Sequence, residues 1–436
     1  MKTIWVLFTI FILFESFGSA EKPTLLEYHK KLVDDVFKEY DNEVSPVVID
    51  AGNRTFHGWN YTLQLGNLKL TGLDESNELI SVVTEIYQSW NDPRLKWNHT
   101  KYDGIFLIYV RQDKVWSPPF TALSSSEVRD HRDQDFRMTT IFSKGTLETH
   151  IPTQLTTSCK LYVIDFPFDT QICEIRTGVP FFYLDLYNIN IQIPSDFTDK
   201  YCSMGNSAWD VINMTSGIKI VPSGDRRFGD EKYGVIKIHL KRNSVFYIYM
   251  IILPTFIINI ISSIGVFLRN TDRVDRLTIG LTHIMTMTFI LGMLAEKIPK
   301  TEEVPLLGKY IIFNLCSMIV AIIVSTYFKL WCHYFTVAFT KHHIEEHLCI
   351  EKNTKNENNR GNLSIEHDVK KKKKKEGTKI EKHFRIIFVT ILQFANVFSF
   401  AYMIYRYVIF ELAFRNFDLN CRQMPKPSME FDYFEN

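Results

Sequence analysis

Residues 275–296 read DRLTIGLTHIMTMTFILGMLAE, a stretch that is apolar enough to enter a bilayer yet rich in threonine. At helical spacing, one face has acidic ends, hydroxyl groups and an apolar middle. Such a face suits a helix that lines an ion pathway, and a slightly polar helix packed inside a bundle is the alternative that the stretch leaves open. The face consists of Asp275, Thr278, Thr282, Met285, Phe289, Gly292 and Glu296.

Three further apolar segments are long enough to cross a bilayer, which predicts four transmembrane helices in all. They are Val245–Phe267, Leu306–Leu330 and Ile386–Phe410. Arginines between the first two helices and the run Lys370–Lys375 before the last one place both loops in the cytosol. We expect the lysine run to be disordered. Arg406 interrupts the last span and is expected to snorkel or to pair with an opposite charge.

The first twenty residues predict a secretory signal peptide. Lys2 precedes an apolar core, and Gly18-Ser19-Ala20 supplies small residues at the cleavage position. The mature N-terminus is therefore expected outside the cytosol, where disulfides persist.

Between residues 46 and 245 the chain consists of short alternating segments rich in β-branched and aromatic residues, which is typical of a β-sandwich. A helical period in residues 21–44 predicts a short surface helix before it. The fold class is thus an extracellular immunoglobulin-like β-sandwich with an N-terminal helix, followed by a four-helix transmembrane bundle. The predicted strands are 62–70, 79–87, 106–109, 136–142, 161–164, 188–193, 218–221 and 233–240.

These elements divide the chain into six parts. A signal peptide (1–20) precedes the extracellular β-sandwich domain (21–244) and transmembrane helices one to three (245–330). A cytoplasmic loop (331–384), a fourth transmembrane helix (385–411) and an extracellular tail (412–436) follow. Four glycosylation sequons fit a glycosylated exterior, at Asn53, Asn60, Asn98 and Asn213.

Cys159 and Cys173 enclose thirteen residues in the exported half of the chain, which has seven cysteines in all. A disulfide there would restrict the unfolded chain by about 3 kcal/mol, although spacing alone does not prove the bridge. Cys202 and Cys421 are the other two expected outside thiols, and their pairing stays open.

Enzyme chemistry and nucleic-acid binding find little support. The formal net charge is +1, so no basic surface for nucleic acid is suggested. His343-Ile-Glu-Glu-His347 matches a zinc-hydrolase pattern, but it directly follows an apolar span and precedes a polar linker. Histidines on a solvated helix explain it better. We expect no enzyme activity, no metal and no cofactor.

A Cys-x13-Cys loop containing Phe166-Pro167-Phe168-Asp169, followed by four spans, resembles the Cys-loop family of pentameric ligand-gated ion channels. Within that family, the chain is most similar to nicotinic-type, invertebrate acetylcholine-receptor-like subunits. Further matching stretches are LDESNE (73–78), SWNDPRLKWN (89–98), DKVWSP (113–118), SAWD (207–210), Arg242, Pro254, AEKIP (295–299) and VPL (304–306).

The resemblance implies a homo- or hetero-pentamer of related subunits and a Cys159–Cys173 disulfide. It also implies a multi-pass plasma-membrane protein, at a synapse, with its N-terminus outside, its helices in contact with membrane lipid, and monovalent cations as permeant ions. The expected agonist is a small extracellular molecule: an amine, a choline ester or a proton.

The resemblance also assigns roles along residues 275–296. Asp275 corresponds to the inner charge ring, Thr278 and Thr282 to narrow polar levels, and Met285 to the gate position. Phe289 forms the next apolar ring and Glu296 the outer charge ring. Five acids at a narrow mouth attract cations and repel anions, which predicts cation selectivity.

The coupling of the extracellular domain to the pore is expected at the domain junction. Asp169 and Arg242 would meet there, and the Phe166-Pro167-Phe168 tip would touch the 297–305 linker, which contains Pro299. The alternative is that both charges are simply solvated.

The agonist site departs from the family pattern. Pro180, Glu85 and Leu123 stand near positions where the family has binding aromatics, and the adjacent-cysteine pair is absent. A different aromatic box is one interpretation, and core packing of the same residues is the other. The candidates are Phe181, Phe182, Tyr183, Phe228 and Tyr233. The sequence therefore also allows a non-conducting accessory subunit or a ligand-capturing surface module.

Overall fold

The computed structural model describes most of the chain after the predicted signal peptide. It covers residues 24–46, 49–50, 55–56, 59–119, 121–123, 125–178, 187–193, 201–221, 231–267, 273–300, 303–327 and 362–423.

Helix α1 (Leu25–Phe37) opens the described chain, as the helical period predicts. Thr24 begins it with a capping box: its hydroxyl accepts from the amide of Glu27, whose carboxylate accepts from the amide of Thr24. These reciprocal bonds satisfy amides that have no partner inside the helix. Leu32 is fully buried and anchors α1 on the β-sheet core.

Thirteen strands follow in the described residues, arranged in two large sheets and one short pair. The larger sheet has the order β11-β3-β4-β9-β8-β5, with β7 also pairing with β9, and the smaller sheet has the order β12-β13-β10-β6. The strands are β1 Ile49–Asp50, β2 Thr55–Phe56, β3 Trp59–Asp74, β4 Leu79–Asn91, β5 Leu107–Arg111, β6 Thr121–Leu123, β7 Ser125–Asp130, β8 Met138–Phe142, β9 Thr146–Ser158, β10 Thr170–Gly178, β11 Tyr187–Gln192, β12 Trp209–Val221 and β13 Glu231–Arg242.

The two large sheets share one core, which confirms the predicted sandwich. Strand β4 alternates strictly between buried and outward residues, so Val82, Ile86 and Trp90 pack inward. The Cys159–Cys173 disulfide is present and ties the end of β9 to β10 in the opposite sheet. It therefore links the two layers directly.

One predicted strand is absent from the structure, and several observed strands were not predicted. Residues 161–164 form no strand, because they belong to the disulfide loop and contain only turn and irregular backbone. Strands β1, β2, β6, β7, β9 and β10 were not predicted. In β9 the buried positions include Thr149, Thr153 and Thr157, so hydroxyl-bearing residues conceal the alternation of apolar and polar residues.

Four helices are long and apolar enough to cross a membrane, as predicted. The first, α3 (Val245–Phe267), follows a short helix α2 (Tyr201–Met204) and strands β12 and β13. The others are α4 (Arg273–Lys297), α5 (Leu306–Tyr327 as described) and α6 (Asn362–Gln423). The run Lys370–Lys375 lies within α6, so the expectation of disorder there is wrong. The run and the apolar span belong to one continuous helix, and lysine is a good helix former.

Polar side chains join three of these helices inside the bundle. Asn259 of α3 donates to the side-chain oxygens of Asn314 in α5 (3.0 Å) and Asn396 in α6 (3.1 Å), and all three side chains are buried. In a bilayer such bonds hold helices together, because lipid offers no alternative partner.

Candidate functional site: the exposed face of α4 and the domain junction

The polar face predicted on α4 is exposed along its whole length in the single subunit. Met285 is 74% exposed and Phe289 is 65% exposed. Large apolar side chains left this open usually contact another chain, lipid or a channel. The remaining members of the face, Asp275, Thr278, Thr282, Gly292 and Glu296, are exposed as well.

The opposite face of α4 packs inside the subunit. His283 and Met287 are buried, and so is Gly280, where an added Cβ would lie 2.2 Å from the side chain of Ile322 in α5. Only glycine allows this close approach. The contact fixes the rotation of α4, so the threonine face points away from the bundle.

The threonine hydroxyls on the exposed face donate their hydrogens to the backbone of the same helix. Thr278 donates to the carbonyl of Val274 (2.9 Å), and Thr282 donates to the carbonyl of Thr278 (2.8 Å). Each hydroxyl hydrogen is thus used within the helix. The oxygen lone pairs remain free to face outward, where they suit a cation better than an anion.

Two neighbouring residues of opposite charge at the start of α4 differ in burial. Asp275 is exposed, whereas the neighbouring Arg276 is buried and has partners of its own. Among the side chains described at this end, the exposed charge is therefore the acid. Glu296 is exposed near the other end of the same helix.

Arg242 and Asp169 meet at the domain junction. Arg242 is 1% exposed and Asp169 is 4% exposed, and the guanidinium donates to both carboxylate oxygens at 2.6 Å and 3.2 Å. Gln171 donates to the same carboxylate at 2.5 Å. This bidentate geometry excludes the alternative in which both charges are solvated.

Glu75 is a second acid on Arg242 that the sequence did not reveal. Its carboxylate accepts from the other guanidinium nitrogen at 2.5 Å. Burial raises the pKa of Glu75, and the hydrogen bond from Arg242 acts against that rise. Burial disfavours the charge on Arg242, but the charges and hydrogen bonds of Asp169 and Glu75 outweigh it and raise the pKa of Arg242. The acidic turn 73–78 was the available signal.

Aromatic rings complete the enclosure of this guanidinium. The carbon centre of the Arg242 guanidinium lies 4.1 Å from the ring centroid of Trp209 and 4.5 Å from that of Phe166. Such rings favour a cation over their faces and exclude water from the ion pair. Phe166 belongs to the predicted loop tip, so the pair and the tip form one unit.

Backbone hydrogen bonds join the disulfide loop to the start of α5. The amides of Leu306 and Leu307 donate to the carbonyls of Ile164 (2.9 Å) and Phe166 (3.0 Å). The hydroxyl of Ser244, just ahead of α3, donates to the carbonyl of Pro167 at 2.7 Å. The loop thus contacts two membrane helices, and Pro299 is buried at the other end of the linker.

Helix α6 docks on the extracellular domain through two ion pairs. Glu411 pairs with the buried Lys241 of β13 at 3.2 Å. Arg406 pairs with Asp165 of the disulfide loop, so the pairing predicted for this intramembrane arginine is found. Phe168 lies between these pairs, with its ring centroid 6.3 Å from that of Phe410.

The aromatic ligand candidates are only partly visible. Phe181, Phe182, Tyr183 and Phe228 lie outside the described residues. Tyr233 is 8% exposed and sits beneath the Arg176 guanidinium, with 5.9 Å to the ring centroid. Its burial in the subunit favours a packing role over ligand contact.

The modification candidates lie on the surface where they are described. Asn60, Asn98 and Asn213 are exposed, and Asn53 lies outside the described residues. The structure does not describe the side chains of Cys202 and Cys421. In the part of the chain that it does describe, His, Cys, Asp and Glu side chains form no group of three that could hold a metal.

Comparison with known proteins assigns the family. Residues 29–244 match the neurotransmitter-gated ion-channel ligand-binding domain, and residues 251–337 match the transmembrane region of the same channels. The chain belongs to the neurotransmitter-gated ion-channel family. The two matches meet at the junction formed by Arg242 and the start of α3, and this family is one of channels rather than enzymes.

Curated relatives within this channel family are nicotinic-type subunits and related channels. The chain is 28% identical over 336 residues to the neuronal acetylcholine receptor subunit alpha-9-I of Oncorhynchus mykiss, covering 77% of this chain and 56% of the relative. It is 28% identical to the alpha-9 subunit of Gallus gallus, covering 73% and 63%. It is 26% identical to ligand-gated ion channel 4 of Caenorhabditis elegans, covering 59% and 40%. The matched region thus spans roughly half of these relatives' length.

Proposed function

We propose that this chain is a subunit of a pentameric, cation-selective channel of the plasma membrane, opened by a small extracellular molecule. The proposal places five copies of α4, from identical or related subunits, around a water-filled path for monovalent cations. The observation that carries it is the exposed face of α4, which joins Asp275 and two threonines to Met285 and Phe289. Charged and hydroxyl groups on a membrane-spanning helix are unfavourable against lipid, and a water-filled pore would provide a polar environment for them.

The junction supports a route from the ligand-binding domain to that pore. Movement of the sandwich would carry the disulfide loop with it, because Arg242 holds Asp169 and the loop carbonyls bond Leu306 and Leu307. Packed elements of this kind switch between discrete arrangements rather than deform continuously. Five acids at Asp275 would then select cations at the inner mouth.

Cysteine accessibility tests the pore assignment. Thr278→Cys, Met285→Cys and Phe289→Cys should each make the current sensitive to a charged, water-soluble thiol reagent. Met287→Cys, on the buried face, is the matched control and should stay insensitive. The unsubstituted chain gives the background, because it carries its own exposed Cys316. Equal sensitivity of Met285→Cys and Met287→Cys would reject the assignment.

A non-conducting accessory subunit is the second candidate, favoured by the burial of Tyr233 and by Glu85 near a family aromatic position. An accessory chain would yield no current alone and would alter the current of related subunits. Recording from cells that express the chain alone, and then with such subunits, separates the two candidates.

A further inference from the structure

The run Lys370–Lys375 lies on the same continuous helix as the last membrane span. Helix α6 begins at Asn362, and the span within it begins at Lys382. At the rise of an α-helix, Lys375 lies about 10 Å along the axis from Lys382, and Lys370 lies about 18 Å from it. The helix therefore places the lysines at a defined distance from one surface of the bilayer.

This part of α6 is strongly basic although the whole chain is almost neutral. Between Val369 and Arg385 there are nine lysines and arginines and only two acids, whereas the formal net charge of the chain is +1. Like charges three or four residues apart on a helix repel one another and destabilise it. The segment therefore favours a source of negative charge close to the bilayer surface.

The pattern of the run favours a charged surface over a folded protein partner. Successive residues of an α-helix are about 100° apart, so six consecutive lysines are distributed over every face of the helix. A helix that docks in a groove of another protein instead presents apolar anchors at spacings of three and four residues. Residues 366–379 contain a single aliphatic or aromatic residue, Val369. The run thus suits a diffuse negative surface.

We propose that Lys370–Lys375 binds the headgroups of anionic phospholipids in the adjacent leaflet, which the loop charges predict to be the cytosolic one. That leaflet is negatively charged and attracts basic segments that lie directly beside a membrane span. The attraction falls off over a Debye length, which is about 8 Å at physiological salt. The near half of the run, Lys373–Lys375, should therefore contribute more than the far half, Lys370–Lys372. This inference goes beyond the proposed function, because it requires a membrane-spanning α6 and no ion flow.

Lipid selectivity in vesicles tests the proposal. The purified full-length protein is reconstituted in phosphatidylcholine vesicles that contain a trace of spin-labelled phosphatidylserine or of spin-labelled phosphatidylcholine. The fraction of each probe that is immobilised at the protein surface gives the relative association constants of the two lipids. We expect phosphatidylserine to associate roughly 3- to 10-fold more strongly at low salt, and this preference should shrink at high salt.

Two triple variants with identical chemistry locate the contact. Lys→Gln substitution at 373–375 removes the three charges nearest the span and should lower the preference by roughly 3-fold or more. The same substitution at 370–372 removes equal charge farther from the bilayer and should have a smaller effect. Glutamine is a good helix former, so both variants preserve the helix. The control replaces three exposed lysines of the extracellular domain, Lys30, Lys31 and Lys38, and should leave the preference unchanged.

The proposal is overturned if the native protein does not prefer phosphatidylserine, or if high salt leaves the preference intact. It is also overturned if the 373–375 variant keeps the full preference, or if the 370–372 variant loses as much. An unchanged preference together with an altered cation current in the 373–375 variant would assign the lysines to the ion path instead. The lipid measurement needs no current, so a chain that selects phosphatidylserine without conducting would reject the proposed channel and keep this inference.

Discussion

Arg242, the last residue of β13, lies opposite Asp169, the residue just before β10, although the two are 73 positions apart in the chain. The register pairs Lys241 with Thr170, and the amide of Arg242 donates to the carbonyl of Asp169 at 3.3 Å. Sheet pairing therefore delivers the two charges to one point, immediately before α3 begins. The buried ion pair is a consequence of that register.

Removing one partner of this pair should destabilise the protein strongly. Arg242→Gln leaves Asp169 and Glu75 buried without a counter-charge, which costs about 3–5 kcal/mol. We expect a clearly lower thermal midpoint for the purified protein and less protein at the cell surface. The matched control is Arg111→Gln, which breaks an exposed pair with Asp113 and should cost at most about 1 kcal/mol. Equal midpoints for the two variants would contradict the role given to the junction.

The pH dependence of stability should reveal the titration of Glu75. Its pKa in the folded protein is raised by burial above the ordinary 4.5, against the opposing effect of Arg242. Between 4.5 and that raised value the folded state holds a proton that the unfolded state has released, so stability from Glu75 increases as the pH falls through the folded pKa.

Glu75→Gln removes that titration and leaves the other acids in place. The thermal midpoint of the native protein minus that of Glu75→Gln should therefore rise as the pH is lowered from neutral toward 4.5. A difference that stays constant, or falls, would show that Glu75 does not hold a raised pKa.

Neutralising Asp275 should weaken cation selection. Asp275→Asn would remove one charge per subunit from the exposed start of α4, and we expect cation conductance to fall by roughly 2- to 10-fold. Asp275→Glu should keep it near native. Reversal potentials in salt gradients measure the selectivity, and Asp113→Asn controls for loss of an exposed acid elsewhere. Unchanged selectivity in Asp275→Asn would exclude this residue from the permeation path.

The two ion pairs of α6 should contribute unequally to the stability of the protein. Glu411→Gln removes the carboxylate that pairs with the buried ammonium of Lys241 and should lower the thermal midpoint. Arg406→Gln breaks a more exposed pair with Asp165 and should change the midpoint little. Lys241→Met combined with Glu411→Gln should recover part of the loss, because no charge is left buried. The reverse ranking would mean that burial does not decide the strength of these contacts.

Much of the architecture was accessible from the sequence because it depends on local pattern. Four long apolar segments give four membrane-length helices, and the alternation in β4 gives a half-buried strand. Strand β9 was not predicted because several of its buried positions are threonines. One of them, Thr149, forms a hydrogen bond with Thr139 of β8, with 2.9 Å between the hydroxyl oxygens. A buried threonine interrupts the alternation of apolar and polar residues by which a strand is recognised.

By itself, the sequence determined the succession of a helix, a β-rich domain and four membrane-length helices, the threonine face of α4, and the resemblance that pairs Asp169 with Arg242. Periodicity and composition depend only on residues that are close together in the chain, so they can be recognised without knowledge of the fold. The tertiary structure decided that Glu75 completes the junction and that α6 docks through Glu411. These relationships join residues far apart in the chain, and only strand register and helix packing bring them within bonding distance.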